Sequence, residues 1–278
     1  MRVLAVVVVL LCSLAGCASL GLGRDDTAAG AAARDGAGGD SGTAESVRAA
    51  ARATAADGGA RVAVDSRGPA RDGSVTTTGT GSIDFRGRTS STALRISDLG
   101  RVDALAVGRT AFGALPPRAL DDISRGRQWV AVALDQVDTG LYADTVIQLG
   151  SGVTGNAADL MTVLGAIRDD VVVVGPETIA DRPTVHLRGT VDLARLRELA
   201  PDLAGAATRA AAELGRPDVP VDVWLDNRGR VRQVTQTLVP GRASTTTTLL
   251  EATPPAPVVA PPAAMVRDLF RELRLRSR

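Results

Sequence analysis

The sequence predicts an α+β protein in which most of the chain forms one antiparallel sheet with a few helices. Three observations predict this class. Apolar and polar residues alternate with a period of two through much of residues 61–112 and again through residues 219–252. The connections within these stretches are short and contain Gly, which is typical of strands that pair in sequential order. Only a few stretches show the wider spacing of apolar residues that a helix requires.

The first half of the sheet follows one predicted helix. Residues 43–56 predict this helix, with either Thr43 or Ser46 as its cap. Strands are expected over residues 61–65, 74–86, 89–97 and 101–112, the last as one or two strands. Pro116-Pro117 ends this meander, and a strand returns around Trp129 at residues 127–135. The sequence of residues 137–149 does not distinguish a helix from a strand.

The second half mixes helices and strands. Residues 156–167 predict a helix, and residues 192–199 and 202–214 predict two more that begin at capping Asp residues. Strands are expected over 171–175, 184–191, 219–226, 230–239 and 243–252. A tight turn is expected at Asp226-Asn227-Arg228-Gly229. A Pro-rich extended run at 254–262 precedes an amphipathic helix at 265–275.

The N-terminus carries an export and anchoring signal. After Met1-Arg2 the chain is apolar to Leu14 and then reads Leu14-Ala15-Gly16-Cys17, which resembles the bacterial lipoprotein signal. The apolar run is shorter than the ~20 residues of a membrane-spanning helix. The resemblance implies that Cys17 is lipidated and becomes the new N-terminus. An ordinary signal peptide with an incidental Cys and an uncut signal anchor are the alternatives.

Composition excludes several functions. The chain has two Cys, of which Cys12 lies in the signal peptide, so lipidation of Cys17 leaves no thiol for a disulfide or a metal site. The net charge of +1 and 2% aromatic residues argue against nucleic-acid binding. We expect no cofactor, no metal and no catalytic residue, and therefore no enzyme.

A glycine motif and the single His are candidate functional sites. Gly150, Gly152 and Gly155 match the spacing of a phosphate-binding loop, but no strand–helix–strand alternation precedes them. A flexible loop leading into a helix is favoured. His186 is the only His and has no recognisable catalytic partner in the sequence, so a structural or surface role is favoured.

Several segments together resemble one lipoprotein family. Gln128-Trp129-Val130, the stretch from Ala180 to Leu193, and Val221 to Asp226 followed by Gly229-Arg230-Val231-Arg232 resemble the actinobacterial LppX/LprG lipoproteins. The resemblance covers residues 44 to about 273. It implies a LolA-like half-barrel, in which a curved antiparallel sheet wraps a few helices around an apolar cavity. In such a fold the loop at residues 150–155 would gate the cavity. Phe112-Gly113-Ala114-Leu115 stands where the family often has a Tyr-rich strand.

The resemblance implies a lipid-binding protein of the cell envelope. The expected domains are a signal peptide at 1–16, the lipidated Cys and a flexible linker at 17–42, a half-barrel at 43–253 and a Pro-rich and helical tail at 254–278. The protein would lie outside the cytoplasm, anchored to the membrane by acyl chains, and carry or sense a lipid or lipoglycan beside an envelope transporter. The alternative is a non-catalytic interaction protein with a filled core. The predicted cavity-lining residues, each of which could equally belong to a packed core, are Ile83, Phe85, Leu94, Ile96, Trp129, Leu160, Val163, Leu164, Ile167 and Trp224.

Overall fold

The protein is described by a computed structural model over residues 43–70, 73–97, 99–114, 116, 125–134, 152–239, 241–254 and 257–268. The predicted signal peptide, Cys17, the linker and the ambiguous stretch at 137–149 lie outside these residues.

Most of the described chain is extended. The strands are β1 (Gly59–Ala70), β2 (Gly73–Asp84), β3 (Thr89–Ile96), β4 (Gly100–Val107), β5 (Thr110–Ala114), β6 (Trp129–Ala133), β7 (Val172–Ile179), β8 (Arg182–Asp192), β9 (Asp218–Asp226), β10 (Val231–Val239), β11 (Ala243–Ala252) and β12 (Val266–Asp268).

Helices are fewer than strands among the described residues. They are α1 (Ala44–Ala56), α2 (Leu160–Gly165), α3 (Leu193–Leu199) and α4 (Ala204–Leu214). Short 3-10 turns occupy Gly152–Thr154, Ala157–Asp159, Pro201–Leu203 and Ala263–Met265. The predicted α+β class with one dominant sheet is therefore confirmed.

All twelve of these strands belong to one open sheet. Its order is β12-β6-β5-β4-β3-β2-β1-β11-β10-β9-β8-β7, so β12 and β7 form its edges. Two sequential meanders, β1 to β6 and β7 to β11, meet where β1 pairs with β11. Every pairing is antiparallel except that of the short β12 with β6. The N-terminal and C-terminal parts of the domain therefore depend on each other for the centre of the sheet.

One face of the sheet is apolar and covered. Directly paired residues in neighbouring strands point to the same face, so the register assigns each side chain to a face. The covered face, which we call the inner face, includes Val62, Val64, Val223 and Leu187, and these residues pack with the helices in one core. The opposite, outer face carries many Thr, Ser and charged residues, as expected for a sheet with one solvated side.

Glycines allow a close approach of two strands in the first meander. A Cβ atom on Gly81 would lie 2.1 Å from the carbonyl oxygen of Ser91, and one on Gly79 would lie 2.3 Å from that of Ala93. Both distances are far inside contact, so a side chain at either position would push β3 away from β2. The Thr-rich and Gly-containing alternation of residues 74–86 is thus explained by strand packing.

Three predicted helices need correction. The helix expected over 156–167 is a 3-10 turn followed by the six-residue α2. The helix expected from Asp202 begins at Ala204, because Asp202 lies in a 3-10 turn and forms an ion pair with Arg88 instead of capping. Within the expected helix at 265–275, residues 266–268 form β12, because their backbone pairs with β6. Residues 269–275 lie outside the described part.

Other local predictions are confirmed. Asp192 caps α3 and accepts hydrogen bonds from the backbone N–H groups of Ala194 and Arg195. Thr43 occupies the N-cap position of α1 but its side chain makes no capping hydrogen bond. The turn after β9 has its positive φ at Gly229, with φ +67°. The strand expected at 171–175 continues to Ile179 through a bulge near Gly175, and Pro176 is tolerated because β7 is an edge strand.

Candidate functional site

The inner face brings most of the predicted lining residues together. The main core contains six of the ten: Ile83, Phe85, Leu160, Val163, Leu164 and Ile167. Leu94 is also buried on the inner face, and Ile96 packs in a smaller cluster with Val75 and Val102. The helical stripe on α2 therefore packs into the core against α1 and the sheet.

The two tryptophans do not belong to this set. Trp224 alternates with Val223 and Leu225, whose side chains are on the inner face, and therefore lies on the outer face. Unbroken register from β2 to β6 places Trp129 on the outer face as well, opposite Ala114. The prediction that these two residues line the interior is wrong, because alternation alone shows which residues share a face but not which face is covered.

The inner face has two different halves. In the second meander and β1, a row of paired residues runs through Val64, Thr247, Val234, Val223 and Leu187, and these side chains are buried beneath the helices. This half is a conventional packed core.

Part of the inner face of the first meander presents smaller side chains. The row that continues from Val64 runs through Gly79, Leu94 and Val102. The adjacent row, here called the small-residue row, runs through Gly81, Thr92, Ala104 and Gly113 to Val130. The next row adds Ser90, Ala106 and Ala111, all buried. Among the described residues, the only atom within 4 Å of a Cβ on Gly113 would be Val102 Cγ1, at the ordinary contact distance of 3.7 Å. In the described residues, the turn Ala157–Asp159 lies against β2 and β3.

The glycine-rich loop is packed and is no phosphate cradle. Residues 152–160 are all buried. Gly152 and Gly155 have φ values of +66° and +78°, and a Cβ on Gly152 would lie 2.4 Å from the Gln236 side chain. Gln236 itself accepts a hydrogen bond from the Val153 N–H at 2.9 Å. The expectation of a flexible gating loop is therefore wrong for its described part, and Gly150 lies outside that part.

A buried charge cluster holds this loop to the first meander. The Asp159 carboxylate is fully buried and accepts from Arg88 Nη2 at 2.6 Å and from Arg109 Nη1 at 3.2 Å. Asn156 Nδ2 donates to the carbonyl oxygens of Arg88 and Gly108 at 3.0 and 3.1 Å. Burial raises the pKa of Asp159, although both guanidinium groups oppose that shift. The cluster joins the β2–β3 and β4–β5 turns to the start of α2.

His186 lies on the outer face and has partners that the sequence did not reveal. Its Nδ1 lies 2.8 Å from Glu177 Oε1 and its Nε2 lies 2.7 Å from Asp222 Oδ1. The ring stacks on Trp224 with centroids 4.3 Å apart, and Trp224 Nε1 donates to Glu177 Oε2 at 2.7 Å. Hydrogen bonds from Trp224 and from His186 lower the pKa of Glu177. This arrangement fastens the edge strand β7 to β8 and β9, which agrees with the structural role expected for His186.

In the described part of the chain, no group of three His, Cys, Asp or Glu side chains is arranged to hold a metal ion. No helix there is long and apolar enough to cross a membrane.

The geometry defines an α+β protein built on a single wide, open antiparallel sheet with helices packed on its inner face. Similar solved structures include the lipoprotein LppX of Mycobacterium tuberculosis, at 16% identity over 73% of this chain and 93% of that chain, with a TM-score of 0.41. LprF from Mycobacterium bovis is similar at 15% identity over 74% and 90%, with a TM-score of 0.38. LppX is among the lipoproteins that the sequence segments resemble. No protein-family model matches the chain, and a comparison with curated proteins finds no match.

Proposed function

We propose that this protein is an envelope lipoprotein that holds the acyl chains of a lipid or lipoglycan against the inner face of its first meander. The supporting observation is the small-residue row, which places Gly, Thr and Ala beside the larger Ile83 and Leu94 in that half of the inner face. The sequence resembling a lipoprotein signal at Cys17 supports a location at a membrane surface outside the cytoplasm, where such ligands occur. An envelope transporter is the expected partner.

The physical basis is the filling of space beside a wide sheet. Protein interiors are close-packed, so room left by small side chains must be filled by other chain segments or by a ligand. An acyl chain gains about 0.8 kcal/mol for each methylene that it removes from water. Ala104, Ala106 and Ala111 offer an apolar floor with no charged group, so the recognition of the chains would be non-directional. No covalent step is involved.

A second candidate is a non-catalytic interaction protein with a filled interior. Its support is the packed core beneath the helices, together with four half-exposed valines on β7 and β8. These are Val172, Val173, Val174 and Val185, which are 45–57% exposed. Exposed apolar residues that lie this close together are typical of a contact surface.

Native mass spectrometry on the mature protein, purified from a host with the native envelope, separates the two candidates. We expect a noncovalent mass in the range of a diacyl or triacyl lipid that solvent extraction removes. A bare mass, with no uptake from a native membrane extract, would exclude lipid binding and favour the interaction protein.

A matched pair of variants locates the lipid. Ala104→Phe places a large side chain in the small-residue row and should lower the lipid-bound fraction. Ala93→Phe adds the same side chain to the exposed outer face of the neighbouring strand and should leave that fraction unchanged. Equal occupancy in both variants would show that the lipid, if bound, does not occupy the inner face of the first meander.

A further inference from the structure

A polar cleft lies where three elements end at one rim of the sheet. Its volume is about 430 Å³, and it is lined by the end of α1 at Asp57, by Arg228, Arg230 and Arg232 around the β9–β10 turn, and by Ala252, Thr253 and Pro254. This volume is within the range of small-molecule sites, roughly 300–1,000 Å³. The cleft is separate from the small-residue row.

Two of its three arginines are held in place by carboxylates. Arg230 donates from Nε and Nη2 to the two oxygens of Asp57, at 2.8 and 3.2 Å. Arg232 donates from Nε and Nη2 to Asp226 Oδ2, at 2.7 and 2.6 Å. Both guanidinium groups are therefore oriented before any ligand arrives, which reduces the conformational entropy lost on binding.

The supporting carboxylate Asp226 serves the turn as well as Arg232. Its Oδ1 accepts from the backbone N–H groups of Arg228 and Arg230, each at 2.9 Å. Burial alone would raise the pKa of Asp226, but these hydrogen bonds and the one from Arg232 outweigh it and lower the pKa. Asp226 remains a buried anion that stabilises the turn, and it does not line the cleft.

The third arginine extends the cationic surface. Arg228 is exposed at the tip of the turn, and its guanidinium has no hydrogen-bond or ion-pair partner among the described residues. Arg230 and Arg232 are each paired with one carboxylate, so the three guanidinium groups of the lining leave one positive charge, that of Arg228, uncompensated. Close by, Arg86 Nη2 donates to the Ala56 carbonyl oxygen at 2.7 Å, which offsets the negative end of α1.

We propose that this cleft binds a phosphate-bearing anion, either free or as the headgroup of a lipid. Arginine forks match phosphate oxygens in pairs and remain charged at every physiological pH. The Thr253 hydroxyl lies at the same rim, where it donates a long hydrogen bond of 3.4 Å to the Glu251 carbonyl oxygen. None of the described lining residues is aromatic, which favours recognition of the anion over stacking on a ring. This site is independent of the acyl-chain site proposed for the inner face.

Isothermal titration calorimetry on the mature protein in an uncharged detergent at low ionic strength tests this proposal. The titrants are inorganic phosphate, glycerol 3-phosphate, and a short-chain phosphatidate below its micellar concentration, with short-chain phosphatidylcholine as the zwitterionic comparison. We expect a Kd at or below about 1 mM for at least one of the three anionic titrants. Equal binding of inorganic phosphate, glycerol 3-phosphate and phosphatidate identifies the anion itself as the ligand, whereas binding of phosphatidate alone identifies a lipid headgroup.

Two charge-matched variants assign the binding to the cleft. Arg228→Gln should weaken it about tenfold, as expected for the loss of a charge-assisted hydrogen bond. Arg242→Gln removes the same charge from an exposed turn at the opposite end of β10 and should change the affinity less than twofold. The proposal is overturned if none of the three anionic titrants binds. It is also overturned if both variants weaken binding equally, because binding would then depend only on the overall charge of the protein.

Discussion

Replacing Asp159 with Asn removes the anion from the centre of the buried charge cluster while keeping the shape of the side chain. The wild-type carboxylate takes two hydrogen bonds from Arg88, from Nε at 3.0 Å and from Nη2 at 2.6 Å, and one from Arg109. In the variant, Arg88 retains Asp202, but Arg109, whose side chain is only 16% exposed, loses its anionic partner Asp159 and keeps its bond to the Thr154 carbonyl oxygen.

The size of the effect follows from the burial of the group. Removing one partner of a buried ion pair costs about 3–5 kcal/mol, because the other charge remains in a poorly solvated place. Burial raises the pKa of Asp159, so the anion is itself costly, and this argues for the lower end of that range. We expect a loss of about 3 kcal/mol in the free energy of unfolding, or roughly 6–12 °C in Tm for a domain of this size.

Urea unfolding followed by far-UV circular dichroism and tryptophan fluorescence measures this loss. Asp202→Asn is the matched control, because Asp202 also pairs with Arg88 but is half exposed, and its removal should cost less than about 1 kcal/mol. If Asp159→Asn unfolds at the same urea concentration as Asp202→Asn, the cluster does not stabilise the domain and the argument from burial fails.

Three further predictions concern separate parts of the molecule. Gly81→Ala should destabilise the domain by about 1–3 kcal/mol in urea unfolding, because the new Cβ meets the β3 backbone. Gly113→Ala, whose Cβ has an ordinary 3.7 Å contact, should be tolerated, and equal costs would contradict the packing argument. Hydrogen bonds hold the pKa of Glu177 below its ordinary 4.5, so the stability that it contributes is present above about pH 4.5 and is lost as the pH falls through the folded-state pKa. Glu177→Gln should therefore reduce the fall of Tm below pH 5. Glu198→Gln, at an exposed position of α3, should leave that fall unchanged. Identical acid profiles for the two variants would rule out the contribution of Glu177. Cys17→Ala should move the protein from the detergent phase to the aqueous phase in detergent partitioning, and an unchanged partition would show a different anchor.

Local patterns in the sequence predict much of the sheet. The alternation in residues 74–86 predicts both β2 and the shared face of Ile83 and Phe85, because successive side chains of a strand point to opposite sides. The cap of α3 at Asp192 is predicted equally well, because its hydrogen-bond partners, Ala194 and Arg195, are only two and three residues further along the chain. The edge strand β7 is longer than predicted, since pairing with β8 continues past Gly175 and Pro176.

Other features depend on partners that are distant in sequence. Residues 266–268 lie within a helical pattern of apolar residues, but backbone pairing with β6 makes them a strand. The loop at Gly152 reads as flexible until Gln236, from a strand 84 residues later, fills the space beside it. A short stretch of sequence predicts neither outcome, because each depends on which surfaces the folded sheet brings into contact.

The sequence by itself therefore determined the class of fold, most of the strands and the grouping of side chains on shared faces, and the anchoring signal at Cys17 stays a prediction. Tertiary structure alone decided which face is covered, and so placed Trp129 and Trp224 outside the interior. It also supplied the carboxylates around His186, the arginines around Asp159 and the convergence of three arginines at the cleft. The physical reason is that alternation is a property of one strand, whereas burial and charge pairing are properties of strands, turns and helices that only the register and packing of the sheet bring together.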